Sequence, residues 1–210
     1  MFPIIPAGST LPSGNEGIFG FGNDGSVTGV TNLVSNAGVV ASDVAAVGTA
    51  RSHLAACEYG GDKGIFGFGY NGGNHSTTNL VSTAGVVASD QAATTGTTRN
   101  SLGACGYGED KGIFGFGYVP SYTGVTNLVS NTGVVAADVA AVGTARERVA
   151  ACEYGDDKGI FGFGTNAGGV TGVTNLVSNA GVVASDVAAV GTARHGQAAC
   201  SYGGDKGIFG

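Results

Sequence analysis

Ala150-Ala151-Cys152-Glu153-Tyr154-Gly155-Asp156-Asp157-Lys158-Gly159-Ile160-Phe161-Gly162-Phe163-Gly164 decides the reading of this chain, because near copies of it recur from end to end. Its Gly-Ile-Phe-Gly core starts at Gly17, Gly64, Gly112, Gly159 and Gly207, in steps of 47, 48, 47 and 48 residues. Cys57, Cys105, Cys152 and Cys200 keep the same beat, and so do Arg51, Arg99, Arg146 and Arg194. Self-similarity at such a period marks a repeat architecture, in which each unit buries its faces only against its neighbours. Residues 17–210 are therefore expected to form one body of tandem units. Residues 1–16, with Phe2, Ile4 and Ile5 set between Pro3 and Pro6, read as an extended segment outside the repeat.

Residues 53 to 98 show what one unit contains. His53 to Tyr59 alternates, with Ala55, Cys57 and Tyr59 on one face and Leu54 and Ala56 on the other, as a strand requires. Gly60-Gly61-Asp62-Lys63 supplies the glycines of a tight turn. Gly64 to Gly69 is the second strand, expected to put Phe66 and Phe68 on one face, with glycines that leave room for rings from another sheet. Thr78 to Ser82 and Gly85 to Ala88 read as a third and a fourth strand. The Val-Ala stretch Asp43-Val44-Ala45-Ala46-Val47 meets Gly48 within two turns, too soon for a stable helix, and is expected to be a loop or single turn.

Four short antiparallel strands in a unit of this length match the blade of a β-propeller. The order Arg51, Ala55-Ala56-Cys57, a glycine turn and Gly64-Ile65-Phe66-Gly67-Phe68-Gly69 resembles the kelch repeat family over residues 17 to 210. A similar glycine-punctuated pattern occurs in the regulator of chromosome condensation family. Thr-Asn-Leu-Val-Ser-Asn-(Ala or Thr)-Gly-Val-Val further resembles kelch-like proteins of bacteriophages and environmental bacteria, many of them virion or tail associated. The resemblance implies an all-β propeller of four-stranded antiparallel blades. Counting strands gives five blades if the N- and C-terminal segments close the ring together, four if the terminal strands overlap, or a ring shared by two incomplete ones.

Composition narrows the partners. With 15 acidic against 9 basic side chains and no basic run, nucleic acid is a poor partner. Met1 to Pro6 lacks the pattern of a secretory signal and no segment is long enough to span a membrane, so synthesis in the cytoplasm and no membrane partner are expected. The four cysteines occupy equivalent places in different units, and are expected to be free, buried thiols. Gly20-Phe21-Gly22-Asn23-Asp24-Gly25 spells a dinucleotide fingerprint but leads into another strand instead of a helix, which rejects it. Cys57 and Tyr59 share a face, as in a copper site, yet His53, His75 and His195 lie at non-equivalent positions, so no metal, no cofactor and no catalytic residue is expected. Asn74-His75-Ser76 is a glycosylation sequon by spelling. The repeated arginines are expected to tie blades together through backbone carbonyls or through Asp43, Asp90, Asp138 and Asp186.

Val27 to Arg51 is identical to Val170 to Arg194, so differences between units stand out. They gather in the loop after the second strand and in the residues following each arginine. Both emerge on the same side of an up-and-down sheet, opposite the near-constant turns that carry Asp62, Asp110, Asp157 and Asp205. Loops held by a rigid scaffold are where binding is usually placed. The candidate face comprises Asn23, Asp24, His53, Tyr70, Asn71, Asn74, His75, Tyr118, Tyr122, Arg148, Asn166, His195 and Gln197. The expected function is a non-catalytic structural or interaction module that binds a protein or itself, which the resemblance implies to be a virion or tail component, with glycan binding as the alternative.

Overall fold

The computed structural model describes residues 16–92 and 96–210. The closing strand expected within residues 1–16 lies, but for Glu16, outside the described residues. All regular structure in the described residues is strand. In order, these are β1 (Gly17–Asn23), β2 (Val27–Val34), β3 (Ala55–Tyr59), β4 (Lys63–Gly67), β5 (Thr78–Val81), β6 (Gly103–Tyr107), β7 (Lys111–Gly115) and β8 (Thr126–Val129). β9 (Ala150–Tyr154), β10 (Lys158–Gly162), β11 (Thr165–Asn166), β12 (Gly169–Val170), β13 (Thr174–Val177), β14 (Ala199–Tyr202) and β15 (Lys206–Phe209) follow. The stretches Val44 to Val47, Val139 to Val142 and Val187 to Val190 are connections, as their glycines require.

Each inner unit is a three-stranded antiparallel meander: β3-β4-β5, β6-β7-β8 and β9-β10-β13. The flanking units contribute the pairs β1-β2 and β14-β15. The expected fourth strand is absent as such among the described residues. Its place is taken by single bridges such as Val81 with Val87 and Val34 with Val40. The physical reason is a side chain: Asn79 Nδ2 donates to the Ala88 carbonyl at 3.1 Å and to Asp90 Oδ1 at 2.9 Å, so an amide replaces a ladder rung. Asn127 and Asn175 do the same in their units.

A second correction concerns the phenylalanines. The extended run of β4 ends at Gly67, and Phe68 takes φ 64°, a left-handed conformation that bulky residues rarely adopt. Phe21, Phe116 and Phe163 each sit at φ 62°. This inversion sends the two rings of a unit to opposite faces. Phe66 meets Phe21 of the preceding unit and Phe68 meets Phe114 of the following one, each pair edge to face at 5.2 Å. Backbone strain of this kind costs about 1–3 kcal/mol. Burying a ring that size returns about as much, and Phe68 and Phe116 are fully buried.

Units stack in chain order, and the core lies between them. One cluster joins Tyr59, Ile65 and Phe68 of one unit to Leu102, Phe114 and Val129 of the next. A second joins Cys105, Tyr107, Ile113 and Phe116 to Val149, Phe161 and Val177. Ala55, Cys57 and Tyr59 face the following unit, as their alternation predicts, while Leu54 faces the preceding one. The glycines make room for this approach, for a methyl group built on Gly67 would lie 2.7 Å from the Phe114 ring. The cysteines are free thiols, but only Cys105 and Cys152 are fully buried and Cys200 is exposed. Cys57 and Cys105 have Gly112 and Gly159 of the next unit beneath their sulfurs, whereas Cys200 has no described unit beyond it.

Candidate partner-binding face

The scaffold beneath the variable loops is an arginine in each unit. Arg51, Arg99 and Arg146 are completely buried. Arg51 Nε donates to the Phe68 carbonyl at 2.7 Å, Nη1 to the Thr49 carbonyl at 2.9 Å and Nη2 to Asn79 Oδ1 at 2.7 Å. Its guanidinium also lies 4.4 Å from the ring centroid of Phe21 in the preceding unit. Arg99, Arg146 and Arg194 stand over Phe68, Phe116 and Phe163 in the same way. The side-chain polar bonds thus join Arg51 to the sheet that follows it, while its ring contact with Phe21 and its carbonyl, which accepts from the Gly22 N–H at 3.0 Å, reach the sheet before it. Burial brings the Arg99 and Arg146 guanidiniums down to about 10, against the pull of Asp138 and Asp186, so both remain charged at neutral pH.

The acid partner is held by its own set of donors. Asp90 accepts from the Thr49 N–H at 3.0 Å and from Thr49 Oγ1 at 2.5 Å, and lies 4.0 Å from Arg51. Burial acts to raise the Asp90 carboxyl, but the bonds from Thr49 and Asn79 and the charge of Arg51 outweigh it and hold it below its ordinary value. Asp138 and Asp186 repeat this arrangement with Thr97 and Thr144. Asp43 likewise accepts from its own asparagine, Asn32. The threonine two places before each arginine and the asparagine of Thr-Asn-Leu-Val were not singled out from sequence, although both recur in step with the arginine.

The two variable segments meet directly above this network. Ser52 and Tyr70 exchange backbone hydrogen bonds at 2.9 and 2.8 Å, as do Asn100 with Tyr118 and Glu147 with Thr165. The residues after the arginines also join from unit to unit. Ser101 N–H donates to the His53 carbonyl at 2.8 Å, Arg148 N–H to that of Ser101 at 2.7 Å, and Gly196 N–H to that of Arg148 at 3.4 Å. His53, Ser101 and Arg148 take φ 54°, 55° and 53°, so a spine of left-handed residues runs across the units with their side chains at its rim. The near-constant turns lie at the other end of the sheets, where Gly60, Gly108 and Gly155 N–H donate to Asp110, Asp157 and Asp205 carbonyls.

Some candidates are brought together and others are not. His75 Nε2 and Asn71 Oδ1 are 2.5 Å apart across one loop, and Asn74 Nδ2 reaches the Tyr118 carbonyl of the next unit at 3.4 Å. Asn100 Nδ2 donates to Asn74 Oδ1 at 2.6 Å, which adds Asn100 to the group. Tyr118 and Tyr122 face each other edge on at 5.7 Å. Tyr70, Asn71, Asn74, His75, Tyr118 and Tyr122 therefore form one continuous patch over two units. His53 and Arg148 belong to the spine, His195 is exposed beside it, and Gln197 turns back to the Gly162 carbonyl at 3.3 Å. Asn23, Asp24 and Asn166 sit at hairpin tips in their own units, where their side chains accept from the turn backbone at Gly25, Ser26 and Gly168.

Among the described residues no three His, Cys, Asp or Glu side chains gather as a metal would need. No helix there is long and apolar enough to cross a membrane. No protein-family model and no curated protein matches the chain.

Proposed function

We propose that the chain is a non-catalytic interaction module, built of kelch-like blades set around an axis, which offers its variable loops to a protein partner within a larger particle such as a phage virion or tail. The observation that carries this reading is the pairing of the two variable segments, unit after unit, on an invariant buried frame. Loops anchored in this way can change side chains without disturbing the units beneath. Mass spectrometry and electron microscopy of the particle fraction of a producing culture test it. The chain is expected at constant stoichiometry in a large symmetric particle, and recovery only as free protein would contradict the reading.

A second reading is glycan binding at the patch of Tyr70, Tyr118 and Tyr122, favoured by the paired rings of Tyr118 and Tyr122 and by the Asn74 and Asn100 amides, which bond the Tyr118 backbone carbonyl and each other. Aromatic faces beside amide donors suit a sugar ring. Glycan-array binding that disappears in Tyr70→Ala and Tyr118→Ala variants would select it.

A further inference from the structure

Asn71-Gly72 is the one place in the sequence where an asparagine precedes a glycine. The pairing matters chemically, because the backbone nitrogen of the next residue is placed to attack the asparagine side-chain carbonyl, and only glycine brings no Cβ to obstruct the approach. Gly72 has φ 103°, and a methyl group built on it would meet nothing within 4 Å. Both residues are exposed. Neither the Gly72 N–H nor Asn71 Nδ2 has a hydrogen-bond partner among the described residues.

The other end of the Asn71 amide is held. His75 Nε2 lies 2.5 Å from Asn71 Oδ1, and since an amide oxygen only accepts, the proton of this bond sits on Nε2. Two backbone bonds fix the histidine: its N–H donates to the Gly69 carbonyl at 2.9 Å, and its carbonyl accepts from the Arg99 N–H at 3.2 Å. A donor aimed at a carbonyl oxygen stabilises the negative charge that gathers there when the carbon is attacked. The other loop asparagines lack this combination. Asn23 and Asn166 are followed by Asp24 and Ala167, and their Oδ1 atoms accept from the Gly25 and Gly168 N–H groups. Asn74 is engaged at both ends of its amide, by the Tyr118 carbonyl and by Asn100.

We propose that Asn71 is a site of self-modification, at which the Gly72 nitrogen closes on the Asn71 side chain while His75 polarises its carbonyl. The Gly72 nitrogen bonds to Asn71 Cγ and gives up its proton. The bond from Cγ to Nδ2 breaks, and ammonia leaves with that proton. The five-membered imide that results takes up water and opens to aspartate or, at its other carbonyl, to isoaspartate. Either product puts a carboxylate beside His75 where a neutral amide stood. Isoaspartate also lengthens the main chain between Tyr70 and Asn74, which bridge each other at the base of the loop. The chemistry is independent of what the loops bind, and its effect on binding rests on the reading of this face as a partner surface.

Peptide mapping by mass spectrometry, on the purified chain held at neutral pH, tests it. The peptide that holds Asn71 should first lose the mass of ammonia and then gain that of water, about tenfold faster than those that hold Asn23 or Asn166. His75→Phe keeps a ring and removes the donor. It should slow conversion by about tenfold, less than the loss of a buried oxyanion donor because water competes at an exposed loop. His75→Gln, which keeps an N–H, should convert at a rate between the two. Conversion at Asn71 no faster than at Asn23 and Asn166 would overturn the proposal, as would a His75→Phe rate equal to or above that of the parent, or equal rates in the two variants. These readouts follow covalent state alone, so their failure leaves the partner-binding reading untouched.

Discussion

Val27 to Arg51 and Val170 to Arg194 are the same sequence in two places, and they do not have the same structure around them. Val177 and Asn175 are fully buried, while Val34 and Asn32 are only half-buried. Asp186 accepts from Asn175 as Asp43 accepts from Asn32, and Asp186 also accepts from Thr144 and lies 4.0 Å from Arg146. Arg51 is fully buried and Arg194 only partly so. Identical residues reach different burial because a unit's core is supplied by the unit next to it. Stability in such an array is a property of interfaces between units more than of units.

Matched substitutions sharpen that difference. Arg146→Met removes the donors to the Phe163 carbonyl and Asn175 and the counter-charge of Asp186. Breaking a buried ionic site of this kind is expected to cost about 3–5 kcal/mol in chemical denaturation. Arg194→Met, at a partly exposed copy of the site, should cost less than about 1 kcal/mol. Equal losses would mean that the two sites are equally enclosed. Gly115→Ala would press a methyl group to 2.7 Å from the Phe161 ring and should cost about 1–3 kcal/mol. Gly210→Ala, with open space above it, should stay within about 0.5 kcal/mol of the parent.

Two carboxylates predict opposite responses to pH. Asp138 lies below its ordinary value, so its contribution is present at neutral pH and lost as pH falls through that lowered value. Asp138→Asn should therefore be less stable than the parent at neutral pH, with the gap narrowing in acid. Glu153 is raised, first by burial and then by Glu58, so it opposes folding once ionised. Its stabilising protonated form is lost as pH rises through the raised value. Glu153→Gln should melt higher than the parent at neutral pH and converge with it in acid. A gap of constant size across the titration would refute either assignment.

The period, the free thiols, the glycine seats and the absence of helix in the Val-Ala connections could all be read from spacing, since the same residue types return to the same place. Two features could not. Nothing in Gly-Ile-Phe-Gly-Phe-Gly announces that Phe68 is left-handed, because alternation assumes an extended backbone, and only the rings waiting on both sides make the inversion favourable. The fourth strand failed for a related reason: Asn79 looks like any polar strand residue until its amide is seen to replace a rung. On the candidate face, sequence differences located the loops, but the spine through His53, Ser101 and Arg148 depends on backbone bonds between units that no single repeat encodes.

Hydrogen exchange measured peptide by peptide on the dilute chain tests most directly whether neighbours confer the order of each unit. Peptides covering β7 and β15 carry the same Lys-Gly-Ile-Phe motif but differ in flanking residues, so they can be told apart. Amides of β7, held between β6 and β8 and covered on both faces, should exchange more than about tenfold more slowly than those of β15. Equal protection of the two would contradict the account, since it would mean that a unit is as well enclosed at the end of the described array as in the middle.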